Sequence, residues 1–311
     1  MKQFALFLGC TIPARLTHYE SASRAVLEAL AVNAVDIKEF NCCGYPLRNI
    51  NFKAFLQLSA RNLALAERDD LDIITLCQCC FGSLKKANHL LKEDALLRNA
   101  VNSHLEKEGL RYTGEIEVKH LLQVLYHDVG IAAIQKEVKR MYDGLRIAAH
   151  YGCHILRPST VVQFDDPLSP TIFDQLIEIT GAQSIYWPLK LECCGAPVRG
   201  INDELSTALT QKKLESGTGA GAAYLCVACP YCQIQFDTVQ GSMPSKRGKD
   251  HRLPSILYPQ LLGLCMGIDH GVLGLGANQV SITGIEGFFA QVSTGRGEGR
   301  QQGVQRSRGE V

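Results

Sequence analysis

Along most of the chain, short apolar runs alternate with longer stretches of helical period. Phe4 to Leu8, Leu71 to Leu76, Leu145 to Ala149 and Ala222 to Val227 are short, mainly apolar runs, each shortly followed by a cysteine. Runs of this kind, without strict polar alternation, fit strands buried on both faces, as in parallel sheets. Ser21 to Val32 and Pro170 to Ile179 instead place apolar residues at i, i+3 and i+4, with Ser21 and Ser169 or Thr171 positioned as caps. Ala54 to Glu67 and Leu205 to Glu215 have the same period. Strands alternating with helices predict an α/β fold with parallel sheets, where ligands collect beyond the carboxyl ends of the strands. The cysteines following the runs are expected at that edge. Leu84 to Tyr142 is mostly helical in period and carries no motif cysteine, residues 243–255 look like a charged surface loop, and the segment from Ser293 is nearly free of apolar residues and reads as a disordered tail.

The pattern occurs twice. Residues 42–51 and 193–202 both fit CCG-x-P-x-R-x-I-N. A single cysteine stands upstream in each half, Cys10 and Cys153, and a C-x2-C downstream, Cys77 to Cys80 and Cys229 to Cys232. The halves read C-x31-CC-x33-C-x2-C and C-x39-CC-x34-C-x2-C. Such a repeat predicts two tandem, similar parallel-sheet α/β halves, each with one cysteine set gathered from three loops. The expected domains are 1–143, a first half with a helical extension, and 144–292, with 293–311 as the tail. The length of 311 residues agrees with two domains at roughly 150 each.

Composition narrows the class. Hydrophobic residues are 46% and charged residues 20%, enough apolar surface for a core and against a wholly disordered chain. A net charge of +1 argues against a general nucleic-acid binder. No secretory signal and no membrane span are expected, which predicts a cytoplasmic protein. Thiols stay reduced there, so 13 cysteines point to metal or redox chemistry rather than to disulfides.

Three chemistries fit five thiols per set. A structural zinc needs four ligands, and adjacent cysteines diverge along the backbone, which suits one tetrahedral ion poorly. Iron–sulfur clusters take sulfur-rich surroundings, and a fifth thiol then implies an idle residue or an unusual connectivity. A dithiol device, including vicinal disulfides at Cys42–Cys43 and Cys193–Cys194, leaves three cysteines of each set unexplained.

On FALFLGC at 4–10, the two CCG segments, DIITLCQCCFGSL at 72–84, HYGCHILRPS at 150–159, CPYCQIQFD at 229–237 and LYPQLLGLCMG at 257–267, the chain resembles the B subunit of heterodisulfide reductase, a pair of cysteine-rich CCG domains. The resemblance covers about residues 3–270. It implies two non-cubane [4Fe-4S] clusters, one on Cys10, Cys42, Cys43, Cys77 and Cys80, the other on Cys153, Cys193, Cys194, Cys229 and Cys232. A disulfide substrate would be cleaved between them, each sulfur captured by an iron. Electrons would come from a ferredoxin-like C subunit and a flavin-containing A subunit, since this chain has neither a G-x-G-x-x-G nor a ferredoxin-type cysteine run. No flavin or nicotinamide is expected here. Gly44 after the first CC pair leans the reading toward the sulfur-oxidising branch of the family, with a sulfur-carrier protein or small thiol as substrate. The alternatives are reduction of the CoM-S-S-CoB heterodisulfide in methanogenesis, an electron-transfer subunit of a quinone-linked CCG oxidoreductase, and a zinc-bound structural module.

Cys79 and Cys226 depart from the family pattern and, with Cys265, read as small buried hydrophobes unless one replaces a motif thiolate. His154, directly after Cys153, is a candidate hydrogen-bond or proton donor to cluster or substrate, with a packing role as the alternative. Arg48 and Arg199 hold the same repeat position and suit an anionic substrate group, or ion pairs that fix the CCG loop. Pro46 and Pro197 shape that loop. His89, His120 and His127 lie on helical patterns and are expected as satisfied core or surface residues, and Trp187 as packing.

Overall fold

The structure, a computed structural model, describes residues 2–243 and 252–291. The expected tail from 293 and most of the expected charged loop lie outside the described residues. The chain forms two four-stranded parallel sheets. The first contains β1 (Lys2–Phe7), β2 (Val32–Val35), β3 (Ile73–Thr75) and β4 (Val118–His120), in the order β2-β1-β3-β4. The second contains β5 (Arg146–His150), β6 (Gln183–Ser184), β7 (Tyr224–Val227) and β8 (Ser255–Leu257), in the order β6-β5-β7-β8. All pairings are parallel, with Phe7 beside Thr75 and Thr75 beside His120 in one sheet, and His150 beside Val227 and Val227 beside Leu257 in the other. The mixed α/β class with two similar halves is therefore as the repeat predicts.

The four predicted strands are the inner ones, where apolar residues face helices on both sides. The flanking strands escape the apolar pattern. β4 lies inside a stretch read as helical, because VKHLLQVLY runs from strand straight into a helical turn. His120 is thus the last residue of β4, not a helix residue: its backbone N–H donates to Gln123 Oε1 at 3.1 Å, and Leu257 and Gln260 repeat the bond at 3.1 Å in the second half.

The helix Thr17–Ala29 begins a turn before the predicted start. Ser21 is not its cap; its Oγ donates to the carbonyls of His18 and Val272. Thr171 stands at the cap position of Ile172–Glu178 but its side chain makes no capping bond to the backbone, accepting from Gln175 Nε2 instead; Asp165 Oδ2 accepts from the Thr171 and Ile172 amides. The helices after the CCG segments, Phe52–Arg68 and Asp203–Gly219, are each capped by the motif asparagine: Asn51 accepts from Ala54 N at 3.0 Å and Asn202 from Leu205 N at 2.9 Å. Thr17–Ala29 of the first half packs on Tyr258–Met266 of the second, and Gln78–Glu93 packs on Ser159–Val162, so the halves share one hydrophobic core. Among the described residues no helix is long and apolar enough to cross a membrane.

Candidate metal centre

Each CCG segment turns sharply because its glycine takes a left-handed conformation, φ 81° at Gly44 and 96° at Gly195. The next residues form one tight 3-10 turn, Tyr45–Leu47 and Ala196–Val198, with Pro46 and Pro197 at its start. The following helix then holds the pair of cysteines from below: Ser59 Oγ donates to Cys43 O at 2.7 Å, and Thr210 Oγ1 to Cys194 O at 3.0 Å. The C-x2-C segments open helical turns just beyond β3 and β7, with Cys77 and Cys229 at the cap positions.

These loops bring the motif thiols of each half together. Cys10 and Cys42 lie 3.9 Å apart at the outer side of the first set. Cys43 interacts with Cys42 and Cys80, and Cys80 with Cys77. In the second half Cys153 interacts with Cys193, Cys193 with Cys194, Cys194 with Cys232, and Cys232 with Cys229. The sets abut, because Cys229 also interacts with Cys77 and Cys79.

Charge is unevenly shared among them. Donor thiols at Cys42 and Cys80 hold Cys43 well below the ordinary thiol range, and Cys153 and Cys194 hold Cys193 down to about 2. Burial pushes Cys229 up, but Cys232, Cys77 and Cys79 outweigh it and keep it low. Each set thus contains one thiol biased toward the thiolate that a cation binds. Backbone closeness adds a cradle: a Cβ on Gly9, whose φ is 66°, would stand 2.7 Å from Cys80 Sγ. Closely enclosed, sulfur-rich donor sets fit iron–sulfur groups. In the second half His150 also lies within reach, its ligand atom and those of Cys194 and Cys232 all within 4.8 Å of one another.

The remaining cysteines separate clearly. Cys226 is wholly buried on β7, its thiol pushed up by burial, as is Cys265, whose Sγ faces Thr180 O at 3.7 Å. Cys79 is placed differently, between Cys77 and Cys229 and 3.8 Å from His154 Nδ1.

A cavity of about 440 Å³ opens over the second set. Its wall includes Cys153, Cys194, Cys229 and Cys232, with Cys79 as the first half's thiol. Tyr45, Tyr231 and His154 frame it, with Tyr45 and His154 edge to face at 5.1 Å. His154 Nδ1 is 3.3 Å from Cys153 Sγ, and burial, with Arg48 nearby, lowers its pKa, which favours the neutral ring. Gln78 lines the wall too, 2% exposed, its Nε2 without a partner. Arg48 and Arg199 both face the cavity, and among the described residues neither forms an ion pair with a carboxylate. An adjoining cavity of about 350 Å³ shares Arg48 and His154 and adds Lys86 and Arg157. Among the described residues no Asp or Glu lines either, so the space favours an anion.

Sequence reasoning missed Lys86, Arg157, Tyr45, Tyr231, Lys213 and His150. Tyr45, His150, Arg157 and Tyr231 all lie inside the quoted motif segments, which was the available signal; Lys86 and Lys213 lie outside them. Three imidazoles, His120, His150 and His154, act electrostatically on Cys229. His120 is not satisfied as expected: its Nδ1 accepts from Leu122 N at 3.3 Å, but its buried Nε2 has no partner. His89 and His127 are exposed. Trp187 is packing, fully buried, with Nε1 donating to Ala149 O at 2.9 Å.

The family described as CCG, cysteine-rich domain, matches residues 4–85 and 147–237. The chain is 36% identical over 284 residues to the B subunit of the ferredoxin:CoB-CoM heterodisulfide reductase of Methanosarcina mazei, covering 90% of this chain and 94% of that one. It is 31% identical to the 8-methylmenaquinol:fumarate reductase membrane anchor subunit of Wolinella succinogenes, covering 91% and 98%. A crystal structure of a hypothetical protein from Helicobacter pylori shares the fold at a TM-score of 0.72 and 20% identity, over 91% of this chain and 52% of that one. With the twin CCG segments, their matched thiol sets and this similarity along nearly the whole chain, the protein belongs to the family of heterodisulfide reductase B subunits, built from paired CCG domains.

Proposed function

We propose that this chain is the catalytic iron–sulfur subunit of a heterodisulfide-reductase-like complex, carrying out thiol/disulfide redox chemistry in the cavity over the second thiol set. Cys10, Cys42, Cys43, Cys77 and Cys80 would hold one non-cubane [4Fe-4S] cluster, and Cys153, Cys193, Cys194, Cys229 and Cys232 the other. When bound, such clusters supply single electrons and a Lewis-acidic iron for sulfur. Cleaving one S–S bond takes two electrons and two protons and gives two thiols. Electrons would come from or return to partner subunits of the ferredoxin-like and flavin-containing kinds. The domains 1–143 and 144–292, and a cytoplasmic location, belong to the same reading.

The observation that carries it is the cavity itself: motif thiols form its floor and Arg48 and Arg199 its sides, with no carboxylate on the wall among the described residues. The two arginines would hold the substrate's sulfonate, phosphate or carboxylate, and the unpartnered Gln78 amide would orient it. His154 would hold a proton on Nδ1 against the sulfur beside Cys153. A small anionic thiol, or the modified arm of a sulfur carrier, suits this space; Gly44 inclines the substrate to sulfur metabolism rather than to the CoM-S-S-CoB heterodisulfide.

The test is iron, zinc and acid-labile sulfide on anaerobic protein, then EPR with added thiol. About eight irons per chain, with a signal altered by the thiol, supports the reading; zinc without iron overturns it. Arg48→Ala with Arg199→Ala should raise KM for an anionic disulfide at least about tenfold, the loss of about 1.4 kcal/mol of binding, with iron content unchanged. The name of the Wolinella relative favours a second reading, electron transfer to or from a quinone. Reaction of the complex with quinols but not with thiols would select it.

A further inference from the structure

The repeat gives each position near one thiol set a counterpart near the other. Three residues before the single cysteine stand Phe7 in the first half and His150 in the second, each ending the first strand of its sheet and each fully buried. Nineteen residues after the CC pair stand Asn62 and Lys213. Asn62 is neutral, and its amide is spent on Asn41 and on the carbonyls of Cys42 and Leu58. Lys213 is 2% exposed; its ammonium donates to Leu189 O and, at 3.0 Å, to Glu192 O, with the Trp187 ring 4.8 Å away. It acts electrostatically on Cys232, Cys194 and Cys193. His150 shares its site with the Cys194 and Cys232 thiols, and neither of its ring nitrogens has a partner. A buried imidazole N–H without an acceptor is costly. The thiol sulfurs of Cys194 and Cys232, within 4.8 Å, place the acceptor for that N–H in the second set's cluster.

Reducing an iron–sulfur group adds negative charge, and a nearby cation or an N–H donor to its sulfurs stabilises that charge and raises the potential. The first set has a phenyl ring and a neutral amide where the second has a donor and a cation. We infer that His150 and Lys213 make the second-half cluster the more easily reduced of the two, so that an arriving electron rests beneath the cavity. The inference builds on the iron–sulfur reading above. Neither residue lines the cavity, so both are positioning residues that act through the cluster.

The experiment is a potentiometric EPR titration of the full chain in its complex, after iron and sulfide analysis. Iron analysis tests the underlying reading separately, because a chain without iron fails there, before any potential is measured. With both clusters present, the unaltered protein should show two resolved one-electron waves. His150→Phe together with Lys213→Asn, which copies the first half, should lower the upper wave and leave the other in place. The shift should be at least tenfold in the oxidised-to-reduced ratio at fixed potential, about 59 mV for one electron. Lys213→Arg should keep the upper wave high. Should the double variant not fold, Lys213→Asn alone should lower the same wave by part of that shift. A single wave in the iron-replete protein, or replete variants with unmoved waves, overturns the inference. Loss of half the iron in His150→Phe alone also overturns it, since His150 would then be a ligand and not a donor.

Discussion

Cys79 and Cys226 carry the same chemistry in opposite surroundings. Cys226 sits in the middle of the second sheet, wholly buried, with no thiol against it, so its sulfur is packing. Cys226→Ala should leave iron content unchanged and cost about 1 kcal/mol in urea unfolding, as expected of a small core truncation. Cys79 touches a thiol of each set and faces the cavity. Cys79→Ala should keep both clusters and alter the EPR change caused by added thiol; loss of a cluster would mean that Cys79 has replaced Cys77 or Cys80 as a ligand. His154 follows the same logic by position: its repeat counterpart Thr11 lies 3.9 Å from Cys10, while His154 lies 3.3 Å from Cys153, so only the second half has an imidazole at that place.

At the level of the element, the CCG segment is a turn, a 3-10 helix and a cap in ten residues. The glycine is required at its start. In Gly195→Ala the new Cβ would meet the Ser206 carbonyl oxygen at 2.6 Å, in a backbone conformation that itself costs an alanine about 1–3 kcal/mol. The substitution should reduce stability by at least that much in denaturant unfolding and should release iron from the second set first. The motif asparagine closes the segment. Asn202→Ala removes one bond to the Leu205 amide and should cost about 1 kcal/mol, with iron retained. These two variants separate the part of the motif that shapes the thiols from the part that starts the helix.

Over the whole molecule, buried imidazoles contribute to the acid limit. Burial lowers the pKa of His18, His150 and His154 from the ordinary 6.5, and that of His120 to about 4. The unfolded chain therefore binds the proton more readily than the folded one. The His120 contribution is complete above pH 6.5 and is lost as the pH falls from 6.5 to about 4. At about 1.4 kcal/mol per pH unit that is about 3 kcal/mol. His120→Leu, which copies Leu257 of the second sheet, should make unfolding stability flatter across this window; an unchanged slope would assign the acid limit to other groups. The shared core also ties the halves together, so both should unfold in one transition.

The periodicity and the repeated cysteines were enough to place the inner strands, the two halves and the thiol-bearing loops, because these are local: an apolar run buried on both faces, a glycine with positive φ, a cap three residues before the amide it binds. The repeated cysteine sets marked two matched sites, and the family followed from the resemblance of the segments around them, not from the spacing. The outer strands were hidden, as β4 is three residues long and runs directly into a helical turn. Only the tertiary structure set Cys79 against Cys229, joined Arg48 with Lys86 and Arg157 around one space, and put His150 and Lys213 beside the second set alone. Those are contacts between residues far apart in the chain, and a one-dimensional pattern of polar and apolar positions carries no distance across the interface of two halves.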